Sequence, residues 1–366
     1  MGYIYTQAIS VIVVFESAEF STITHSIETR EPLTGLELDT LEHDTWCTRI
    51  WTYQELCNAR TVDFTAYAMQ RAAKISGDDF FNNLGFSLQR CKTRLGVSAL
   101  GLMAKYPVLS ALEDACADWF IGMPTERSML TCLTGINGRQ SDPRDPANVV
   151  YALFGALTTV PCWGATDESV SDLTEKAMHI CEAKADFSHI FTANPRSSSR
   201  RWRPDGHGNL VPILQWHSYG SRQGGFLSDD RVTLRDMVRL EIGRLPSDDI
   251  TTRVSQWTSD FDGIATNEAG ASSVSVPRLV SVLRSIRWTG CEQVRTCEQG
   301  YILLQYEVSE GQSIEAFVST VVRWTFGCPG IARILSSENC IGYSPLILVG
   351  HVPYDDVNMR QVDLFH

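Results

Sequence analysis

The stretch WCTRIWTYQEL, Trp46 to Leu56, decides how this chain of 366 residues is read. Asp44 or Thr45 is placed to cap a helix, and the periodicity predicts one helix over residues 44–59. At about 100° per residue, Trp46, Ile50, Tyr53 and Cys57 form one apolar, core-facing stripe. Glu55 points roughly opposite, with Trp51 four residues before it on the same face. A carboxylate beside an aromatic ring is a candidate acid or base, because apolar surroundings raise its pKa. A plainer reading competes. Thr52-x-x-Glu55 has capping-box spacing, and a glutamate on an exposed helix face is ordinary. Arg49, about 120° from Glu55 on the wheel, is expected to pair with a carboxylate such as Asp142 or Asp145, or to contact an anionic ligand.

Outward from this stretch, helix and strand alternate. Residues 1–8 read as the end of a helix. Ser10–Phe15 is apolar and β-branched, which suits a strand buried on both faces. Glu16–Asp44 is polar, holds Pro32 and Gly35, and reads as a loop with a short helix. Thr61–Tyr67 returns to strand, and Ser98–Phe120 has helical periodicity. Asp145 caps a further helix, with Pro146 where a first-turn proline is tolerated. On that helix Val149, Tyr151, Leu153 and Phe154 read as core, Tyr151 carrying a polar handle. The order predicts an α/β domain with a largely parallel sheet over residues 1–165.

Residues 166–366 read as an α+β region rich in short strands. Asp172–Asp186 is helical in pattern, and Val274–Trp288 fits either helix or strand. LVPILQW, YILLQYEV and PLILVGHV read as short strands. Asn194–Arg203 holds Arg196, Arg200, Arg201 and Arg203, a density that suits an anion site but more commonly marks a solvated link.

Composition narrows the function classes. Hydrophobic residues make up 43%, as in a globular chain, and the formal net charge is −12, which argues against a general nucleic-acid binder. No apolar run approaches a membrane span of about 20 residues, and the apolar N-terminus lacks the basic leader of a secretory signal. The eleven cysteines form no CxxC pair and no His pair has metal spacing, so a zinc site is not expected. Reduced, buried thiols are expected. Gly342–Leu346 fails the GxSxG elbow at its last position. No GxGxxG or Walker A pattern follows a strand. Met1–Thr6 fits the myristoylation pattern, but a bulky aromatic follows Gly2.

Three stretches resemble motifs of the fungal heterokaryon-incompatibility (HET) domain. WCTRIWTYQEL resembles its RxWTxQE signature, through Arg49, Trp51, Thr52, Gln54 and Glu55. MGYIYTQAISVIVVF resembles an internal helix and strand of that domain. DPRDPANVVYALFGAL, Asp142 to Leu157, resembles DPRDKVYALLGL through Asp142, Arg144, Asp145 and Tyr151, with a longer spacing before the tyrosine. More weakly, FGCPGIARIL (Phe326–Leu335) and PLILVGHV (Pro345–Val352) resemble the paired strands that end many such proteins. The family's opening segments, resembling ALSYxWG and WIDxxCIxQ, do not occur, so the resemblance implies a HET domain lacking its N-terminal part.

That resemblance implies an incomplete TIR-like, flavodoxin-like domain in a cytoplasmic protein of non-self recognition and programmed cell death. Its partner would be another protein, and homo-oligomerisation stays open; the charge and the lack of a long apolar run argue against nucleic acid and a membrane span. A truncated, non-enzymatic paralogue acting by binding is the alternative. Through the family's remote kinship with TIR domains, WTYQEL is similar to a WCxxEL segment whose glutamate serves NAD hydrolysis. This implies Glu55 as the catalytic carboxylate and NAD as substrate in a full-length form, with little or no activity in a chain starting at Met1. No cofactor is otherwise expected.

Overall fold

The computed structural model describes residues 5, 7–15, 17–67, 74–97, 99–121, 127–137, 139, 147–158, 168–214, 216, 219–220, 222–229, 231–261, 274–352 and 360–365. The chain forms two compact units. One comprises residues 1–127 and 135–167, the other residues 128–134 and 168–366. The second therefore takes in a seven-residue segment from inside the first, an interleaving the division at 165 does not anticipate.

The first unit is built on a three-stranded mixed sheet of β1 (Val11–Phe15), β2 (Val62–Ala66) and β3 (Ile75–Ser76), in the order β1-β2-β3. β1 runs parallel to β2, pairing Val13 with Phe64, and β3 is antiparallel. The largely parallel sheet expected is thus small and mixed. β1 also differs from the strand buried on both faces. Val11, Val13 and Phe15 are buried, whereas Ile12 and Val14 are 53% and 48% exposed. Across from Ile12 sits Asp63, held by Ser10 Oγ and Lys74, so this face is mixed polar and apolar. The covered face carries an aromatic cluster: Phe15 stacks on Phe64 at 5.4 Å, and Phe64 packs on Phe80 at 4.1 Å.

Around this sheet lie α1 (Ser17–Thr29), α2 (Gly35–Glu42), α3 (Thr45–Thr48), α4 (Thr52–Asn58), α5 (Gly77–Leu95), α6 (Ala99–Lys105), α7 (Pro107–Ile121), α8 (Met129–Asn137) and α9 (Ala147–Leu157). α8 crosses the boundary between the units. The loop expected over residues 16–44 is mostly helical. Its polar surface hides a narrow buried stripe of Phe20, Ile23 and Ser26, and a Thr34–Glu37 capping box starts α2. Glu42, at the end of α2, accepts from the N–H groups of Val108 and Leu109 and so closes the start of α7. Gly96, at φ 64°, ends α5 in the left-handed region that favours glycine.

The second unit centres on an antiparallel sheet ordered β13-β6-β9-β11-β12-β8-β7, with β5 beside β6. Its strands are β5 (Gly225–Ser228), β6 (Arg231–Leu240), β7 (Val294–Cys297), β8 (Gly300–Leu304), β9 (Ser313–Ser319), β11 (Gly327–Ser336), β12 (Asn339–Gly350) and β13 (Arg360–Phe365). β4 (Tyr219–Gly220) and β10 (Val322–Arg323) pair separately. The helices are α10 (Val170–Ala183), α11 (Asp248–Phe261) and α12 (Val276–Ser285). The segments quoted from 326–335 and 345–352 do pair, Gly327 opposite Val349. The strands are longer than expected, β12 reaching 12 residues. LVPILQW forms no strand among its described residues, only an isolated bridge at Pro212. Both sheet faces are buried. Phe317 and Ile331 join one core, and their chain neighbours Ala316, Val318 and Ala332 join another. No described helix is long and apolar enough to cross a membrane.

Candidate functional site

The single helix expected over residues 44–59 is two. Asp44 caps α3, its carboxylate accepting from the N–H groups of Trp46 at 2.7 Å and Cys47 at 3.1 Å. At Arg49 the backbone turns extended, with φ −72° and ψ 139°. α4 then starts at Thr52, with Trp51 as its N-cap residue and no side-chain cap. The break is held by side chains. Thr52 Oγ1 donates to the Arg49 carbonyl at 2.6 Å, and Arg139 Nη1 donates to Thr52 Oγ1 and to the Cys47 carbonyl at 2.7 Å. Thr52 therefore forms no capping box with Glu55.

The break brings together two residues that a continuous helix would separate. Trp46 Nε1 donates to Glu55 Oε2 at 3.1 Å, and the Tyr5 hydroxyl donates to Glu55 Oε1 at 3.2 Å. Glu55 is half-buried, while Trp46 is buried with its ring edge-on to Phe15 and Phe64. Burial, followed by the charge and hydrogen bond of Glu55, pushes the Tyr5 hydroxyl from its ordinary 10.0 up to about 12, against a smaller pull from Arg49. The carboxylate is thus fixed by two neutral donors, and each oxygen keeps acceptor capacity beyond the bond it makes.

The other expected residues are dispersed. Arg49 is exposed and Trp51 is half-buried. Gln54 is completely buried, and its amide oxygen and nitrogen have no hydrogen-bond partner among the described residues. Tyr151 and Val149 on α9 are half-buried, and the buried face of that helix is Val150, Ala152, Leu153 and Phe154. Asp142, Arg144 and Asp145, with the expected Asp145 cap and the pairing of Arg49 to Asp142 or Asp145, lie outside the described residues.

Two arginines that the sequence reading did not single out hold the site. Arg139 is buried, bonded as above and to the Gly135 carbonyl, and burial lowers its pKa. Arg127 donates to the Cys57 and Ala156 carbonyls and, at 2.8 Å, to Asn58 Oδ1. Those carbonyls belong to the last turns of α4 and α9, where a cation meets the negative helix ends. Asn58 Nδ2 adds a bond to the Gly155 carbonyl. Apart from the Arg139–Gly135 bond, these arginines reach partners 29 to 92 residues away, so local spacing does not mark their role. Of the nine cysteines whose side chains are described, seven are buried and all are free, and burial pushes the Cys47 thiol well up, which leaves it inert.

In the second unit, the segment Asn194–Arg203 is not a solvated link throughout. Arg203 is buried and pairs with Glu175 and, through Nε at 2.6 Å, with Glu182. His189 Nε2 lies 3.4 Å from the same Glu182 oxygen. Burial pushes Glu182 up, but the His189 and Arg203 side chains beside it outweigh that and bring the carboxyl down to about 2. Arg196 donates to the carbonyls of Ile190 and Thr192, and burial lowers its pKa to about 10. Two of the four arginines are thus spent on internal structure.

No family model, curated protein or solved structure matches the chain.

Proposed function

We propose that this chain is a HET-type protein of fungal non-self recognition and the cell death that follows, acting in the cytoplasm through a protein partner, with Glu55 a structural tie rather than a catalyst. One observation supports the reading. The three stretches that carry the resemblance meet: Tyr5 of the first bonds Glu55 of the second across 50 positions, and Asn58 beside the second bonds Gly155 of the third across 97. Motif residues joined in this way have a structural reason to occur together. The bonds of Glu55 support the structural part of the reading: one neutral donor on each oxygen ties the carboxylate to Tyr5 and Trp46, a role that needs no substrate. NAD hydrolysis is the competing reading.

The test is expression in a fungal host, scoring viability and protein abundance. The native chain kills or arrests growth. Trp46→Ala abolishes the effect by unfolding, since loss of a buried tryptophan costs about 3–5 kcal/mol. Trp51→Ala, at a half-buried position, leaves more folded protein and more toxicity. A harmless native chain at high abundance refutes the proposal.

A further inference from the structure

The C-terminal unit contains a cavity of about 170 Å³ that the incompatibility reading does not use. One wall is α11, with Ile250, Arg253, Val254 and Trp257, and the other holds Phe326 and residues 349–351. Trp257 stacks on Phe326 with ring centroids 4.2 Å apart and planes at 27°. Trp257 is 9% exposed, and its indole N–H has no hydrogen-bond partner among the described residues. Buried indoles ordinarily find an acceptor. The wall therefore holds a stacked aromatic pair, one member of which carries an unmet donor.

The rim supplies charge. Arg253 Nε pairs with Asp249 at 3.0 Å, which leaves the two terminal nitrogens without a partner among the described residues. Their fork matches a carboxylate bidentately. His351 also stands at the rim and is exposed. The volume suits a small ring: a cavity of about 150 Å³ accepts benzene, and this one has room for one ring with a short acidic arm. Asp249 disfavours a second negative charge, which limits the ligand to a single carboxylate.

We propose that this cavity binds a small aromatic monocarboxylate, its ring against Trp257 and Phe326 and its carboxylate on Arg253. The proposal is independent of the role of Glu55. The test uses the full chain with phenylacetate as probe and benzyl alcohol and benzylamine as neutral and cationic controls, read by tryptophan fluorescence and thermal shift. Phenylacetate binds with a dissociation constant of about a millimolar or below, and the melting temperature rises with its concentration. Arg253→Gln weakens binding about tenfold or more, as expected for loss of a charge-assisted pair. Ile250→Phe fills the cavity from a half-exposed position and abolishes binding, while the melting temperature without ligand shows that the variant folds. Equal binding of all three probes, undiminished binding by folded Ile250→Phe, or no binding of phenylacetate at about ten times that concentration overturns the proposal.

Discussion

The indole of Trp46 donates to the carboxylate of Glu55, 3.1 Å away and nine residues later, across a helix break. In a continuous helix nine residues turn about 900°, a net half-turn, so the two would face apart. The bond exists because the chain turns extended at Arg49. Tyr5 completes the arrangement on the other carboxylate oxygen. The signature stretch is therefore a folded knot rather than one amphipathic rod.

The knot gives a pH dependence. The Tyr5 hydroxyl titrates at about 12 in the folded chain against 10.0 ordinarily. A group whose pKa is raised on folding contributes stability that is complete below the unfolded value and lost as pH rises through the folded one. Stability should fall between pH 10.0 and about 12, and Tyr5→Phe should make that fall shallower. Urea unfolding midpoints across this range check it; an identical alkaline slope in Tyr5→Phe counts against the bond.

At the acid end the group to watch is Glu182. Its folded pKa of about 2 lies below its ordinary 4.5, so its contribution is present above pH 4.5 and lost as pH falls towards 2. Glu182→Gln should flatten this acid loss and lower stability near neutrality by about 1.5–3 kcal/mol, because it removes one of the two carboxylates that pair with the buried Arg203. Circular dichroism melts from pH 2 to 7 read both effects.

Arg127 closes two helix ends at once, those of α4 and α9. Arg127→Met keeps bulk and removes the buried bonds to Asn58, Cys57 and Ala156. A loss of about 2–4 kcal/mol is expected, and chemical denaturation measures it. A loss below about 0.5 kcal/mol, typical of surface changes, contradicts the clamp.

Gly135, whose carbonyl accepts from Arg139, tests packing against α4. A Cβ there would lie 2.7 Å from Cε2 of Tyr53, a buried ring. Gly→Ala in a helix ordinarily stabilises by about 0.5–1 kcal/mol. Here overpacking at about 1–3 kcal/mol outweighs that gain, so Gly135→Ala lowers the melting temperature, where a plain helix surface would show a rise.

What the sequence made legible was local. The apolar stripe Trp46, Ile50, Tyr53 and Cys57 is buried throughout, because burial follows spacing even where the helix is interrupted. The break itself was invisible, since Arg139, which holds Thr52, lies 87 residues away. Glu16–Asp44 looked like a loop because only a thin stripe of its helices is apolar. Arg196 and Arg203 looked solvated because their acceptors, carbonyls and Glu182, are reached only in the folded chain. The sheet of the first unit looked parallel because β3 is only two residues long and gives no period to read.

The most direct test of the central claim is Glu55→Gln in fungal cells, with NAD, viability and protein abundance followed together. Glutamine keeps both bonds: its carbonyl accepts from Trp46, and its amide N–H donates to the Tyr5 oxygen. As a structural tie, Glu55 can then be replaced, and Glu55→Gln accumulates, kills like the native chain and leaves NAD unchanged before death. If the native chain instead exhausts NAD, and Glu55→Gln at equal abundance neither does so nor kills, Glu55 is a catalytic carboxylate and not a structural tie.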